Sequence, residues 1–236
     1  MQNLILSALP VCEYMRFAST LADVALPAGR VLYEPGQRID YIYFPTSAVV
    51  NLIYTTEDGA TAEAWSAGND GLIGIPAFLS SGTMPYRAVV QVAGRARRLC
   101  ALVLQREFYR AGPLQHLLLR YTESIINQIG QIAICNRLHS FDQRLCRWLL
   151  LTQDRCRRDE LLMTHEFIAM MLGGRRESIT TAARRLQDGG FIDYSRGHIH
   201  ILDRRGLEQR VCECYAVIHA ELERLFAPPE RALNFA

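Results

Sequence analysis

The stretch MTHEFIAMMLGGRRESITTAARRL, residues 163–186, decides the architecture of the C-terminal half. Thr164 suits the N-cap of a short helix. Phe167, Ile168, Met171 and Leu172 follow it at steps that place them on one helical face. Gly173-Gly174 supplies a tight stop. A second helix is expected from about Arg175 to Asp188, with Ile179, Ala182 or Ala183, and Leu186 turned inward. Its outer face carries Arg176, Glu177, Thr180, Thr181 and Arg184. Gly189-Gly190 then leads into a strand at Phe191–Tyr194, a turn at Ser195-Arg196-Gly197 and a strand at His198–Leu202. The order is helix, turn, helix, two-stranded wing.

Such a unit suits the DNA major groove, which admits one α-helix. Arginine can donate two hydrogen bonds to guanine, and glutamate can accept one from cytosine. Cap hydroxyls and cations near a helix start suit phosphates. The same pattern also fits a helical hairpin with a solvated Arg/Glu face, since two short amphipathic helices joined by glycine are common.

Working outward, the 236-residue chain carries 26 basic residues against 24 acids, a net charge of +2, and every basic residue is arginine. That balance excludes a protein coated in positive charge but allows a local patch. Residues 1–136 are neutral, 137–206 carry +4 and 207–236 carry −2. The absence of lysine is best explained by genome composition. Upstream, Leu118, Tyr121, Ile125, Gln128, Ile132 and Cys135 follow alternating steps of three and four, a coiled-coil-like seam on a long helix. Leu114, Leu117, Ile126 and Ile129 supply a second apolar face. A helix with two apolar faces must bury both, either one on its own β domain and the other on a partner subunit or both within a monomer; the seam is the expected dimer interface, where Gln128 would fix register. Ser140 and Gln143 form a capping-box pattern that opens the next helix, whose inner face is Leu145, Trp148, Leu149 and Thr152. The break at 136–140 is the expected hinge. Residues 1 to about 23 read as short helical material. Residues 26–104 carry short apolar runs (Tyr41–Phe44, Val49–Tyr54, Ala88–Val92, Ala96–Leu104) separated by glycine turns, the pattern of a β-sandwich or roll.

The run from Leu162 to Asp203 resembles the C-terminal domain of the Crp/Fnr superfamily of bacterial transcription regulators. The resemblance rests on Thr164, the Gly173 turn, Arg176-Glu177-Ser178, Leu186-Gln187-Asp188-Gly189-Gly190-Phe191-Ile192 and Ser195-Arg196-Gly197-His198-Ile199. The helix, β-roll, long-helix order upstream is similar too, so it spans roughly residues 1–206. It implies an α+β chain: a cyclic-nucleotide-binding-like jelly roll over 1–112, a dimerisation helix and hinge over 113–138, a winged helix-turn-helix over 139–206 and a helical extension over 207–236. It implies a DNA-binding surface of Thr164, His165, Arg175, Arg176, Glu177, Thr180, Thr181, Arg184, Ser195 and Arg196, with Arg176 and Glu177 reading bases. Arg175 departs from the Ser or Thr N-cap that relatives commonly have, which weakens the cap and adds a cation.

The stretch from Gly68 to Ala88 is similar to a cyclic-nucleotide cassette but lacks its chemistry. Gly74 is followed by Ile75 where a glutamate would bind the ribose, and Arg87 stands one residue from the place of the phosphate-binding arginine. A one-residue shift in a strand turns a side chain to the opposite face. Cyclic AMP binding is therefore not expected. Arg87 reads as a solvated or ion-paired residue, with an unidentified anion as the other option for it. Iron–sulfur and haem sensing lack ligands, and Cys212 and Cys214 with His219 lack a fourth ligand, so no metal or cofactor is expected. Seven scattered cysteines without a Cys-x-x-Cys pair, no export signal and no spanning segment point to the cytoplasm. No catalytic arrangement is present, so an enzyme is not expected. The leading function is a homodimeric, sequence-specific regulator whose partners are double-stranded DNA, a second copy and RNA polymerase. The alternative is a ligand-sensing adaptor that acts through protein contacts without DNA.

Overall fold

A computed structural model describes residues 2–79 and 81–227. Residues 228–236 of the expected C-terminal extension lie outside the described residues. Two short helices, α1 (Leu4–Ser7) and α2 (Val11–Met15), and a 3-10 turn (Ala18–Thr20) precede the β-roll. The roll comprises β1 (Ala22–Leu26), β2 (Val31–Tyr33), β3 (Tyr41–Pro45), β4 (Val49–Thr55), β5 (Thr61–Ala67), α3 (Pro76–Leu79), β6 (Arg87–Val92) and β7 (Gly94–Cys100). Its strands form two antiparallel sheets in the orders β1-β7-β3 and β2-β6-β4-β5. Leu26, Ile42, Phe44 and Leu99 from one sheet and Val50, Leu52, Trp65 and Val90 from the other share one apolar core. Removing these side chains from water is the main driving force for closing the two layers.

The run expected as a strand from Ala96 to Leu104 divides. The strand ends at Cys100, and α4 (Ala101–Phe108) continues as a helix. Ala101, Leu104 and Phe108 are buried while Leu102 is exposed, a helical rather than an alternating pattern. An apolar run this short fits either period until packing decides.

The long helix is α5 (Pro113–Leu138), with proline in its first turn, where a missing N–H costs nothing. α6 (Phe141–Cys156) follows after only His139 and Ser140, so the expected break at 136–140 contracts to two residues. The capping box forms as the sequence implies: Gln143 N donates to Ser140 Oγ at 3.4 Å and Ser140 N to Gln143 Oε1 at 3.1 Å. Beyond it lie β8 (Glu160–Leu162), α7 (His165–Leu172), α8 (Arg176–Asp188), β9 (Ile192–Ser195), β10 (His198–Ile201), α9 (Arg204–Arg210) and α10 (Cys214–Phe226). The wing gains a third strand, because β8 pairs with β10 opposite β9. The helical extension expected over 207–236 comprises, in its described part, the end of α9 and all of α10, and α10 folds back against α5 and α6.

The expected dimer seam requires correction. Leu118, Tyr121, Ile125, Gln128, Ile132 and Cys135 are all buried inside their own subunit, where α5 lies on β5 and α10. Tyr121 shows why: its hydroxyl donates to Leu72 O at 3.2 Å and accepts from Leu72 N at 3.1 Å, which fastens α5 to the roll. The face left outside carries Leu119, Ile126 and Ile129, with Ile126 64% exposed. Of the second face expected from the sequence, only Ile126 and Ile129 are outside; Leu114 and Leu117 are buried with the row of Leu118 and Tyr121, so periodicity marks two apolar stripes but misassigns half of the second. Among the described residues, no helix is long and apolar enough to cross a membrane.

Candidate nucleic-acid interface

α6, α7, α8 and the three-stranded wing share a second apolar core. It includes Leu145, Leu149, Ile168, Leu172, Ile179, Ala182, Ala183, Leu186, Ile192 and Ile199. Ile179, Ala182, Ala183 and Leu186 face inward from α8, as the sequence implies. Geometry then forces Arg176, Glu177, Thr180, Thr181 and Arg184 outward, and all five are exposed. At about 1.5 Å per residue, the 13 residues of α8 make a rod long enough to lie along a groove.

The turn between α7 and α8 is built from two glycines with different duties. Gly173 adopts the left-handed conformation (φ +60°) that ends α7. Gly174 has no such φ, but a Cβ there would sit 2.3 Å from the Phe141 ring on α6. Arg144 stacks over that ring at 4.8 Å and donates through Nη2 to Leu172 O, satisfying a carbonyl at the end of α7. Arg185 reaches from α8 to Asp142 at 3.2 Å, which pins α8 to α6.

The start of each helix is distinct. Thr164 Oγ1 accepts from Phe167 N at 3.2 Å, a regular N-cap that remains exposed. Arg175 takes the N-cap position of α8 without a side-chain cap bond, so the first-turn amides keep their partial positive charge open. The wing tip is a two-residue hairpin loop, Arg196-Gly197, flanked by the Ser195–His198 pair. Both tip residues have positive φ, 49° and 83°, as a type I′ turn requires. Ser195 and Arg196 are exposed there.

His165 is the exception in the set. It is half-buried and stacks on Tyr194 of β9 with ring centroids 4.3 Å apart. Its Nδ1 lies 3.2 Å from Thr180 Oγ1, whose own hydroxyl donates to Arg176 O at 3.0 Å. Burial, helped by the Arg176 charge, holds the His165 pKa below the usual histidine range. His165 therefore joins α7, α8 and the wing behind the outward face of α8. Tyr194 is a residue that sequence reasoning missed. It donates to Met163 O at 3.2 Å, and an aromatic residue in a short wing strand was the available signal.

In the roll, Arg87 and Ala88 point to opposite sides. Ala88 is fully buried, whereas Arg87 is exposed and pairs with Glu34 at 3.2 Å. Ile75, in the place of the missing glutamate, is buried. The cassette-like loop instead faces the second half of the chain. Asp70 pairs with Arg155 of α6, and Glu63 accepts from Trp148 Nε1 at 3.0 Å. Burial pushes the Glu63 carboxyl upward. His219 stands apart from Cys212 and Cys214, next to Glu223 at 3.4 Å.

Comparison with known families matches residues 143–210 to a Crp-like helix-turn-helix domain and residues 23–106 to a cyclic nucleotide-binding domain. Together these cover nearly two thirds of the chain. No curated protein matches the sequence. Among solved structures, FixK2 of Bradyrhizobium japonicum is similar at 14% identity, with a TM-score of 0.69 over 81% of this chain and 98% of that one. A CRP-family transcriptional regulator of Thermus thermophilus is similar at 18% identity, with a TM-score of 0.65 over 79% of this chain and 95% of that one. The c-di-GMP-responsive global regulator CLP of Xanthomonas campestris is similar at 15% identity, with a TM-score of 0.65 over 81% of this chain and 99% of that one. At these identities the likeness concerns the fold.

Proposed function

Because the chain belongs to the Crp/Fnr family of helix-turn-helix transcription regulators, we propose that it acts as a homodimer that reads a pseudo-palindromic DNA site with α8. One observation carries this reading: the outward face of α8 presents Arg176, Glu177, Thr180, Thr181 and Arg184, and its other face is locked in a packed core. In the bound state Arg176 and Glu177 meet base edges, with Thr180, Thr181 and Arg184 completing the surface. Thr164, Arg175, Ser195 and Arg196 meet phosphates, and phosphate contacts set register rather than sequence. His165 orients this surface from behind.

The dimer forms through the exposed side of α5, at Leu119, Ile126 and Ile129. Two α8 helices then enter successive major grooves about 34–36 Å apart. RNA polymerase is the protein partner met at a promoter. Cyclic AMP is not the effector, since Ile75 has no carboxylate to offer and Arg87 faces Glu34 outside the roll.

Genome-wide footprinting of the native protein tests the reading. Paired half-sites one helical turn apart are expected. Uniform protection without sequence preference, measured at fixed salt, would overturn it.

A further inference from the structure

The fold gathers four soft-metal ligands that the sequence scatters. Cys135 lies in the last turn of α5, and His139 follows at i+4 as the C-cap of that helix. Cys212 sits between α9 and α10, and Cys214 begins α10. One ligand atom from each residue comes within 4.8 Å of all the others. Cys135 Sγ and Cys212 Sγ are 3.5 Å apart, and Cys214 Sγ is 3.4 Å from His139 Nδ1.

We propose that Cys135, His139, Cys212 and Cys214 form a closed, tetrahedral zinc site that joins the end of α5 to the entrance of α10. With zinc–sulfur bonds of about 2.3 Å and zinc–nitrogen bonds of about 2.0–2.1 Å, the edges of a tetrahedron are about 3.8 Å between sulfurs and about 3.5 Å between sulfur and nitrogen. The observed separations need only small adjustments to reach these. A cluster of several irons would hold its cysteine sulfurs farther apart than a single ion does.

Three surrounding contacts support a metal rather than four neutral side chains. His139 Nε2 lies 3.2 Å from Glu213 Oε1. A carboxylate on the far ring nitrogen fixes the tautomer that leaves Nδ1 free to bind metal. Gln131 Nε2 donates to Cys214 Sγ at 3.0 Å, a bond suited to a thiolate acceptor. Arg147 of α6 is buried, and its Nε and Nη1 have no hydrogen-bond partner among the described residues. Its charge acts on Cys135 on one side and Glu63 on the other. Zinc with three thiolates and one neutral imidazole carries a net negative charge, which complements this buried guanidinium.

All four positions are filled by protein, so the site is structural. Its place gives it a consequence. His139 is one of the two residues between α5 and α6, so the metal stiffens the joint between the long helix and the helix-turn-helix unit. The site stands independently of the DNA-binding reading, because its test measures metal.

Full-length protein, purified under reducing conditions without chelator, is expected to contain about one zinc per chain by elemental analysis, as a single four-ligand site requires. Replacement by cobalt(II) should give a strong thiolate-to-cobalt charge-transfer band and the intense visible bands of tetrahedral coordination. Cys212→Ser and His139→Ala should lose the metal, His139→Cys should keep it, and His219→Ala should retain full stoichiometry. Chelation should lower the Tm of the wild type but not of metal-free Cys212→Ser. The wild-type cobalt spectrum does not depend on any variant folding. Metal-free wild type with no charge-transfer band, iron in place of zinc, a Cys135–Cys212 disulfide in fresh protein, or full zinc in Cys212→Ser would each overturn the proposal.

Discussion

Arg155 Nε and Asp70 Oδ2 lie 2.9 Å apart in a buried ion pair that joins α6 of the DNA-binding unit to the cassette-like loop of the roll. Arg155 Nη1 also donates to Ser66 Oγ at 2.7 Å. Burial works against the Arg155 charge, but Asp70 outweighs it and the guanidinium is held more firmly protonated than usual. Gly68 completes the seat, since a Cβ there would come 2.4 Å from Arg155 Cβ. The loop that binds nucleotide in a true cassette is here bonded directly to the other half of the chain. Asp70→Ala would leave the buried arginine without its paired carboxylate. It should cost about 3–5 kcal/mol in urea unfolding.

Arg176 is the residue whose loss should cost specificity without harming the fold, because its side chain is exposed. Arg176→Ala should weaken binding to the footprinted site by about 1–3 kcal/mol, roughly 5- to 150-fold. Binding to random DNA should change little. Quantitative gel shifts with both DNAs, at one salt concentration, measure the difference.

The two sides of α5 should respond differently to substitution. Ile126→Glu places a charge on the exposed face and should yield a folded monomer by sedimentation, with an unchanged circular dichroism spectrum. Tyr121→Phe acts inside the subunit, where it strands Leu72 N and O. It should cost about 1–3 kcal/mol and leave the dimer intact.

His165 makes the helix-turn-helix unit sensitive to acid. Its pKa is lowered in the folded state, so the unfolded chain binds the proton more readily. Stability from this residue is full above the unfolded value of about 6.5 and falls as pH drops below it, since stability rises with pH wherever the unfolded state holds more protons. Thermal melts from pH 8 to 5 should show a loss that His165→Phe reduces. An NMR titration of the ring would report the lowered pKa directly.

Cyclic AMP should give no binding heat in calorimetry at micromolar concentrations. A double change, Ile75→Glu with Glu34→Gln, should not restore it, because Arg87 still begins β6 on the side opposite buried Ala88. Micromolar binding by the wild type would show that the phosphate finds another cation.

The helix-turn-helix was legible because its signals are local. Thr164, Gly173, the inward residues of α8 and the Arg196-Gly197 turn each act within a few neighbours, and each appears in the fold where the sequence implies. The Ser140–Gln143 box is equally local. The opposite sides of Arg87 and Ala88 followed from strand parity alone. The extent of β7 was not legible, because short apolar runs satisfy both periods until a partner surface chooses between them.

The sequence by itself determined that α5 is apolar on more than one side, since helical periodicity is a property of spacing, but it placed Leu114 and Leu117 with Ile126 and Ile129 although they are buried beside Leu118 and Tyr121. Only the tertiary structure decided that Tyr121 and its row face the roll and α10 while Ile126 faces out, because that choice depends on what lies opposite. The cysteines show the same limit more sharply. Cys212 and Cys214 signal a possible ligand pair through their spacing, but Cys135 and His139 stand more than 70 residues earlier. They become neighbours only because α10 turns back along α5, burying Ile218 and Leu225 in the main core. Apolar burial drives that return, and the four ligand atoms converge as its geometric result.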